Sequence, residues 1–141
     1  MFTSNFARSK TFPDGYTPVS IARKLPWYFR GESFLELAPT EAMLAMPIAD
    51  YVASFDAILA KLDPQTVFDA IGNKSILLCW ESPGVFCHRR AVAQWLERSL
   101  DISVPEFGFD RDSFPTYPDM PLKGTSEARR LSKTLQRSGG V

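Results

Sequence analysis

The apolar run Ser75-Ile76-Leu77-Leu78-Cys79-Trp80 lies between Gly72-Asn73 and Ser82-Pro83-Gly84. An unbroken apolar segment of this length between turn residues predicts a strand buried on both faces, at the centre of a parallel or mixed sheet. From Cys87 to Leu100 the pattern changes period. Ala91, Val92, Trp95, Leu96 and Leu100 fall on one stripe, with Arg89, Arg90, Gln94, Glu97 and Arg98 elsewhere around it, which predicts an amphipathic helix starting near Cys87. Tyr51 and Val52, Phe55, Ile58 and Leu59, and Leu62 recur at three- and four-residue steps, predicting a second such helix over Asp50 to Leu62. Asp63-Pro64 then supplies a cap and a first-turn proline for a short helix with Val67, Phe68 and Ile71 inward and Gly72 as its stop.

Weaker patterns fill the remainder. Met1 to Ala7 and Pro18 to Ala22 read as short strands around a Pro13-Asp14-Gly15 turn. Trp27 to Pro39 reads as a loop, and Thr40 caps a short helix from Glu41 to Met46. Ile102 to Phe107 suggests an edge strand, because Pro105 lacks the ladder donor. Ser113 to Pro121 places three prolines in nine residues, which predicts an extended segment laid over the surface. Ser126 caps a basic helix reaching Arg137, and a mobile Ser138-Gly139-Gly140-Val141 end follows. The expected architecture is α/β: a single three-layer-like domain with a small parallel or mixed sheet flanked by helices. Residues 1–110 form the domain, and 111–141 form a Pro-rich, basic extension packed on it or partly mobile.

Composition narrows the function classes. The chain has 141 residues, 45% apolar and 23% charged, the profile of an ordinary globular protein with one core. No apolar stretch approaches the roughly 20 residues needed to span a membrane, and the N-terminus does not read as a secretory signal, so a cytoplasmic location is expected. Cys79 and Cys87 are too few for a disulfide framework, and in a reducing compartment both are expected as thiols in preference to a lone bridge between them. The net charge of zero conceals an asymmetry: residues 1–30 and 122–141 each carry five basic side chains and one acidic, and 31–121 six basic and fourteen acidic. Basic termini on one face would attract nucleic acid or nucleotides; otherwise they are solvated ends around an acidic body.

The chemistry concentrates at the strand-loop-helix unit. A helix opening with Cys87-His88-Arg89-Arg90 offers unpaired N–H groups and the positive end of its dipole to an anion or a thiolate. In an open α/β sheet that position, beyond the strand ends, is where ligands bind. Cys87 is a candidate nucleophile or a packing residue, and His88, the only histidine, a proton donor, phosphate ligand or structural hydrogen-bonder. Glu81 is a candidate general base or anchor for the arginines. Arg89 and Arg90 are candidate anion ligands, although roughly 100° apart around the helix.

Sharper readings fail. A phosphatase loop needs arginine six positions after its cysteine, where Ala93 stands. Zinc needs three or four ligands; Cys79, Cys87 and His88 are the only soft candidates, the first inside a strand and the others adjacent, so no metal site is expected. Neither GxGxxG nor GxxxxGK[ST] occurs, and no cofactor is expected.

The run from Ile76 through Cys79-Trp80-Glu81-Ser82-Pro83-Gly84-Val85-Phe86-Cys87-His88-Arg89-Arg90 to Leu96 resembles the signature of the domain of unknown function 488 family, small proteins of bacteria and their phages. Further similarity lies at Phe2 to Phe6, Val19 to Arg23 with Pro26 beyond, and Leu37-Ala38-Pro39, so that it covers about residues 1 to 108. The resemblance implies an α/β fold and a site shared by the N-terminal strands and the Cys-His-Arg helix, involving Ser4, Arg23, Glu81, Cys87, His88 and Arg89. It implies no activity. Asn5 departs from the aromatic residue expected there and alters whatever would stack on it.

The functional expectation is an enzyme acting on a nucleotide, nucleic acid or other phosphorylated substrate, with Cys87, His88 and Glu81 catalytic and Arg89, Arg90, Arg23 and Ser4 binding the anion. One alternative is a non-catalytic module that senses or sequesters an anionic small molecule. Another is an interaction protein using Trp27, Tyr28, Phe29 and the basic tail. The oligomeric state is left open.

Overall fold

Four short parallel strands in the order β1-β4-β2-β3 form the centre of the computed structural model, which describes residues 1–109 and 116–138. They are β1 (Phe2–Asn5), β2 (Thr17–Ser20), β3 (Glu32–Ser33) and β4 (Ser75–Cys79). β4 is central because its side chains tolerate no water on either face: Ile76, Leu77 and Leu78 are fully buried. It pairs with β1 through Asn5 beside Cys79 and with β2 through Ser20 beside Leu78. The strands therefore end together, and the loops after β2 and β4 emerge side by side.

Helices α1 (Ile48–Ala60), α2 (Pro64–Ile71) and α3 (His88–Leu100) bury Phe55, Leu59, Val67, Val92 and Leu96 with Val19 and Leu77 in one core cluster. Ile76 and Leu78, which alternate with Leu77 along β4, share a second cluster with Phe6, Ala22 and Phe29, as the period-two alternation of a strand requires. The Asp63 cap of α2 accepts from the Thr66 N–H, and Gly72 ends that helix at φ 91°. α3 is unusual for a helix with two arginines in its first turn: everything from His88 to Ala93 is buried. Among the described residues no helix is long and apolar enough to cross a membrane.

Three local expectations change. β1 stops at Asn5 and a 3-10 turn over Phe6–Thr11 follows. Ile102 to Phe107 makes one bridge, Thr3 to Glu106, rather than a strand. The stretch read as a plain loop contains β3, paired to β2 through Val19 beside Glu32.

The extension is more deeply engaged than a surface segment. Residues 110–115, with Ser113, Phe114 and Pro115 of the Pro-rich run, and the end from Gly139 on lie outside the described residues. Tyr117 and Met120, however, belong to the main core. The Gln94 amide of α3, with nitrogen toward the Tyr117 carbonyl and oxygen toward its N–H, makes both bonds at 3.1 Å. α4 (Ser126–Ser138) then lays Leu131 and Leu135 against Gly84. Its first-turn Ala128 N–H is accepted by Thr125, not Ser126, because Ser126 is already helical.

Candidate functional site

A cleft of about 450 Å³ opens where β2 and β4 end and α3 begins. Its floor is Cys79, Cys87 and His88; Tyr51, Phe86 and Met43 form apolar walls; and Arg23, Lys24, Lys123 and Glu81 carry its charge. Each is placed by the sheet: Arg23 and Lys24 follow β2, Glu81 follows β4, and Cys87 is the N-cap residue of α3.

The two cysteines form a disulfide. This corrects the expectation of two thiols. The segment from Trp80 to Phe86 turns back on itself, with Gly84 at φ 86°, and returns the N-cap of α3 to the end of the strand it left. Cys87 therefore has no free thiolate for attack in this oxidised form.

His88 lies at the centre. Its Nε2 is 2.6 Å from the Ile21 carbonyl, and its Nδ1 is 3.8 Å from Cys87 Sγ. A carbonyl can only accept, so the proton sits on Nε2 and the Nδ1 lone pair faces the sulfurs. Burial pushes the imidazole pKa down to about 4; the Ile21 bond opposes this and the Arg89 charge adds to it. His88 is therefore neutral at physiological pH. Burial also raises the Tyr51 phenol, with Tyr117 and Glu81 adding to the effect.

Arg89 and Arg90 do not face the cleft opening. Arg89 Nε and Nη2 grip Glu106 at 3.1 and 2.7 Å, while Nη1 donates to Cys79 Sγ at 3.1 Å and the Glu81 carbonyl at 2.9 Å. Arg90 donates to Thr3 Oγ1 and the Val104 carbonyl. Both are buried and act as internal ties, with Arg89 fixing the strand-end loop to the helix. Ser4 is buried in β1, beside Leu78, and does not line the cleft. Arg23 does line it, its Nε donating to the Pro39 carbonyl at 2.8 Å. The Glu81 carboxylate is half-buried, with Oε2 3.8 Å from Cys79 Sγ.

Glu106, Tyr51, Phe86 and Lys123 were not legible as site residues. For Glu106 a signal existed: no position three or four residues from Arg89 or Arg90 is acidic, so two arginines on a helix with a buried stripe needed a distant acid. Of the aromatic trio proposed as a contact surface, Trp27 and Tyr28 are exposed, whereas Phe29 is buried against Phe6.

The sulfurs of Cys79 and Cys87 and the ring nitrogen of His88 lie within 4.8 Å of one another. The metal-donor set that looked dispersed along the chain is thus assembled in space, because the strand end and the helix start are neighbours. No family model, no curated protein and no solved structure matches the chain.

Proposed function

We propose that this protein binds a small anionic, nucleotide-like molecule in the cleft at the start of α3. One observation carries the reading: Arg23, Lys24 and Lys123 share a cleft with the aromatic side chains of Tyr51, Phe86 and Trp80, a combination suited to a phosphate and a flat apolar group together. The α3 N-terminus, whose N-cap provides no side-chain acceptor, adds its dipole to that field. Arg89 and Arg90 serve in this reading as scaffold and not as ligands. The reading includes a cytoplasmic location and membership of the domain of unknown function 488 family, supported by the Cys79-to-Arg89 run.

Turnover is the second reading, favoured by the convergence of Glu81, Cys87 and His88 on the floor. It needs the reduced protein, in which Cys87 regains a thiol. A thermal-shift screen of nucleotides, nucleosides and sugar phosphates, with mass spectrometry of each mixture, separates the two. A phosphorylated ligand at one hundred times its dissociation constant adds about 2.7 kcal/mol of stability. Binding predicts a shift lost in Arg23→Ala/Lys123→Ala and no product; catalysis predicts a new product that disappears in Glu81→Gln. Equal shifts with nucleosides and nucleotides would refute the anion reading.

A further inference from the structure

We propose that the reduced protein holds a zinc ion through Cys79 Sγ, Cys87 Sγ, His88 Nδ1 and a Glu81 carboxylate oxygen, on the floor of the cleft.

Three donors are already gathered within reach of one ion, with both sulfurs and the His88 ring nitrogen inside 4.8 Å of one another, and Glu81 stands beside Cys79 as the fourth. Zinc binds sulfur at about 2.3 Å and nitrogen or oxygen at about 2.0–2.2 Å, so tetrahedral ligand atoms stand roughly 3.3–3.8 Å apart. Cys87 Sγ to His88 Nδ1 is 3.8 Å, and Cys79 Sγ to Glu81 Oε2 is 3.8 Å. Two of the six edges are thus near the required length, and the edge between the sulfurs opens when the disulfide is reduced. The Cα atoms of the cysteines are 7.4 Å apart, wider than the roughly 4.4–6.8 Å over which a disulfide is usual, and suited to two thiolates on either side of a shared ion.

The surroundings are also those of a ligand set. A metal-bound histidine usually donates its other ring N–H to a carbonyl or carboxylate, which fixes the tautomer; the Ile21 carbonyl receives Nε2 of His88 at 2.6 Å. Arg89 Nη1, 3.1 Å from Cys79 Sγ, donates to a sulfur that becomes anionic, and Cys87 at the N-cap of α3 lies at the positive end of that helix. Two thiolates and a carboxylate outweigh the dication by one charge; the Arg89 charge is already matched by Glu106, so its contribution is the Nη1 hydrogen bond to the Cys79 sulfur. The cleft gives the ion its approach from solvent.

The chemistry balances simply. A phosphine reductant breaks the S–S bond by supplying two electrons and is itself oxidised to the phosphine oxide with an oxygen from water, leaving two protons to form the Cys79 and Cys87 thiols. Zinc then displaces those two protons to the buffer as the thiolates bind. In a reducing compartment the dithiol predominates, so the metal-bound form is the resting form there and the disulfide the oxidised one. This proposal is independent of the anionic ligand.

The test reduces the full chain with a phosphine, adds zinc, removes the excess and measures bound metal by elemental mass spectrometry, with cobalt as a spectroscopic substitute. Expected are an equimolar zinc content, and with cobalt the intense thiolate charge-transfer and tetrahedral d–d bands. Cys87→Ser and His88→Gln, confirmed folded by circular dichroism, should weaken binding by about tenfold or more, and Glu81→Gln should alter the cobalt spectrum with a smaller loss. Should a substitution unfold the chain, alkylation of the reduced wild type, with and without zinc, gives the same answer: zinc protects both thiols. Reduced, folded wild type without zinc, or zinc retained by Cys79→Ser/Cys87→Ser, overturns the proposal.

Discussion

At the scale of single residues, the buried Arg89–Glu106 pair and the buried His88 ring make different demands on the fold. The Arg89–Glu106 pair is fully enclosed and Glu106 also accepts from Thr3, so neither charge has water to fall back on. Removing one partner of such a pair leaves the other uncompensated and costs about 3–5 kcal/mol. Glu106→Gln is therefore expected to lower unfolding stability by about that much in urea titration. Arg89→Met/Glu106→Leu, which removes both charges, should recover a large part of it. A Glu106→Gln loss below about 1 kcal/mol would mean that the pair is not isolated from solvent. His88 behaves oppositely, because the fold requires it neutral. The unfolded imidazole titrates at about 6.5 and the native one at about 4, so on acidification the unfolded chain takes up the proton first. The stability associated with the neutral ring is complete above pH 6.5 and is lost progressively as pH falls toward 4, by about 3 kcal/mol in total. Urea midpoints of the oxidised, metal-free protein at stepped pH should show this decline, and His88→Gln should flatten it.

At the scale of elements, what the sequence revealed depended on how local the cause was. β4, α1, α2 and α3 were readable because their apolar periods span whole elements, and the Asp63 cap and Gly72 stop are signals a few residues long. β3 was not readable: Glu32 and Ser33 are exposed and become a strand only because Val19 and Ser20 pair with them. The site was legible in part for the same reason. The strand-loop-helix unit singled out Glu81, Cys87 and His88, which line the cleft, but sequence cannot show that Arg89 turns toward Glu106 or that Cys79 meets Cys87, since both depend on contacts across the sheet end. Gly84 illustrates how closely these elements are fitted. At φ 86°, a Cβ there would stand 2.7 Å from Leu135 Cδ1 and 2.9 Å from Leu131 Cδ2. Gly84→Ala is expected to loosen α4 from the cleft loop and cost about 1–3 kcal/mol, visible as faster amide exchange in α4. Unchanged exchange would show that α4 can shift to admit the methyl group.

At the scale of the whole molecule, the C-terminal extension belongs to the architecture that makes the cleft. Tyr51 of α1 meets Phe86 edge to face, and Phe86 stacks on Tyr117 of the extension at 5.0 Å. The Phe86 N–H is accepted by the Pro121 carbonyl, so the wall of the cleft is held from both sides. Two truncations separate the contributions. A chain ending at Thr125 loses α4, with its buried Ala128 and Leu135, but keeps Tyr117 and Met120 in the core; it should remain cooperatively folded with a lower melting temperature. A chain ending at Gly108 also loses those two residues and the Gln94 pairing, exposing the face of α3 that they cover. Removing a large buried aromatic alone costs about 3–5 kcal/mol, and a domain of this size has only about 5–15 kcal/mol in total. Calorimetry of the shorter chain should therefore show a broad or absent transition. A sharp transition near that of the full protein would instead establish residues 1–108 as self-sufficient and the extension as an addition to a finished domain.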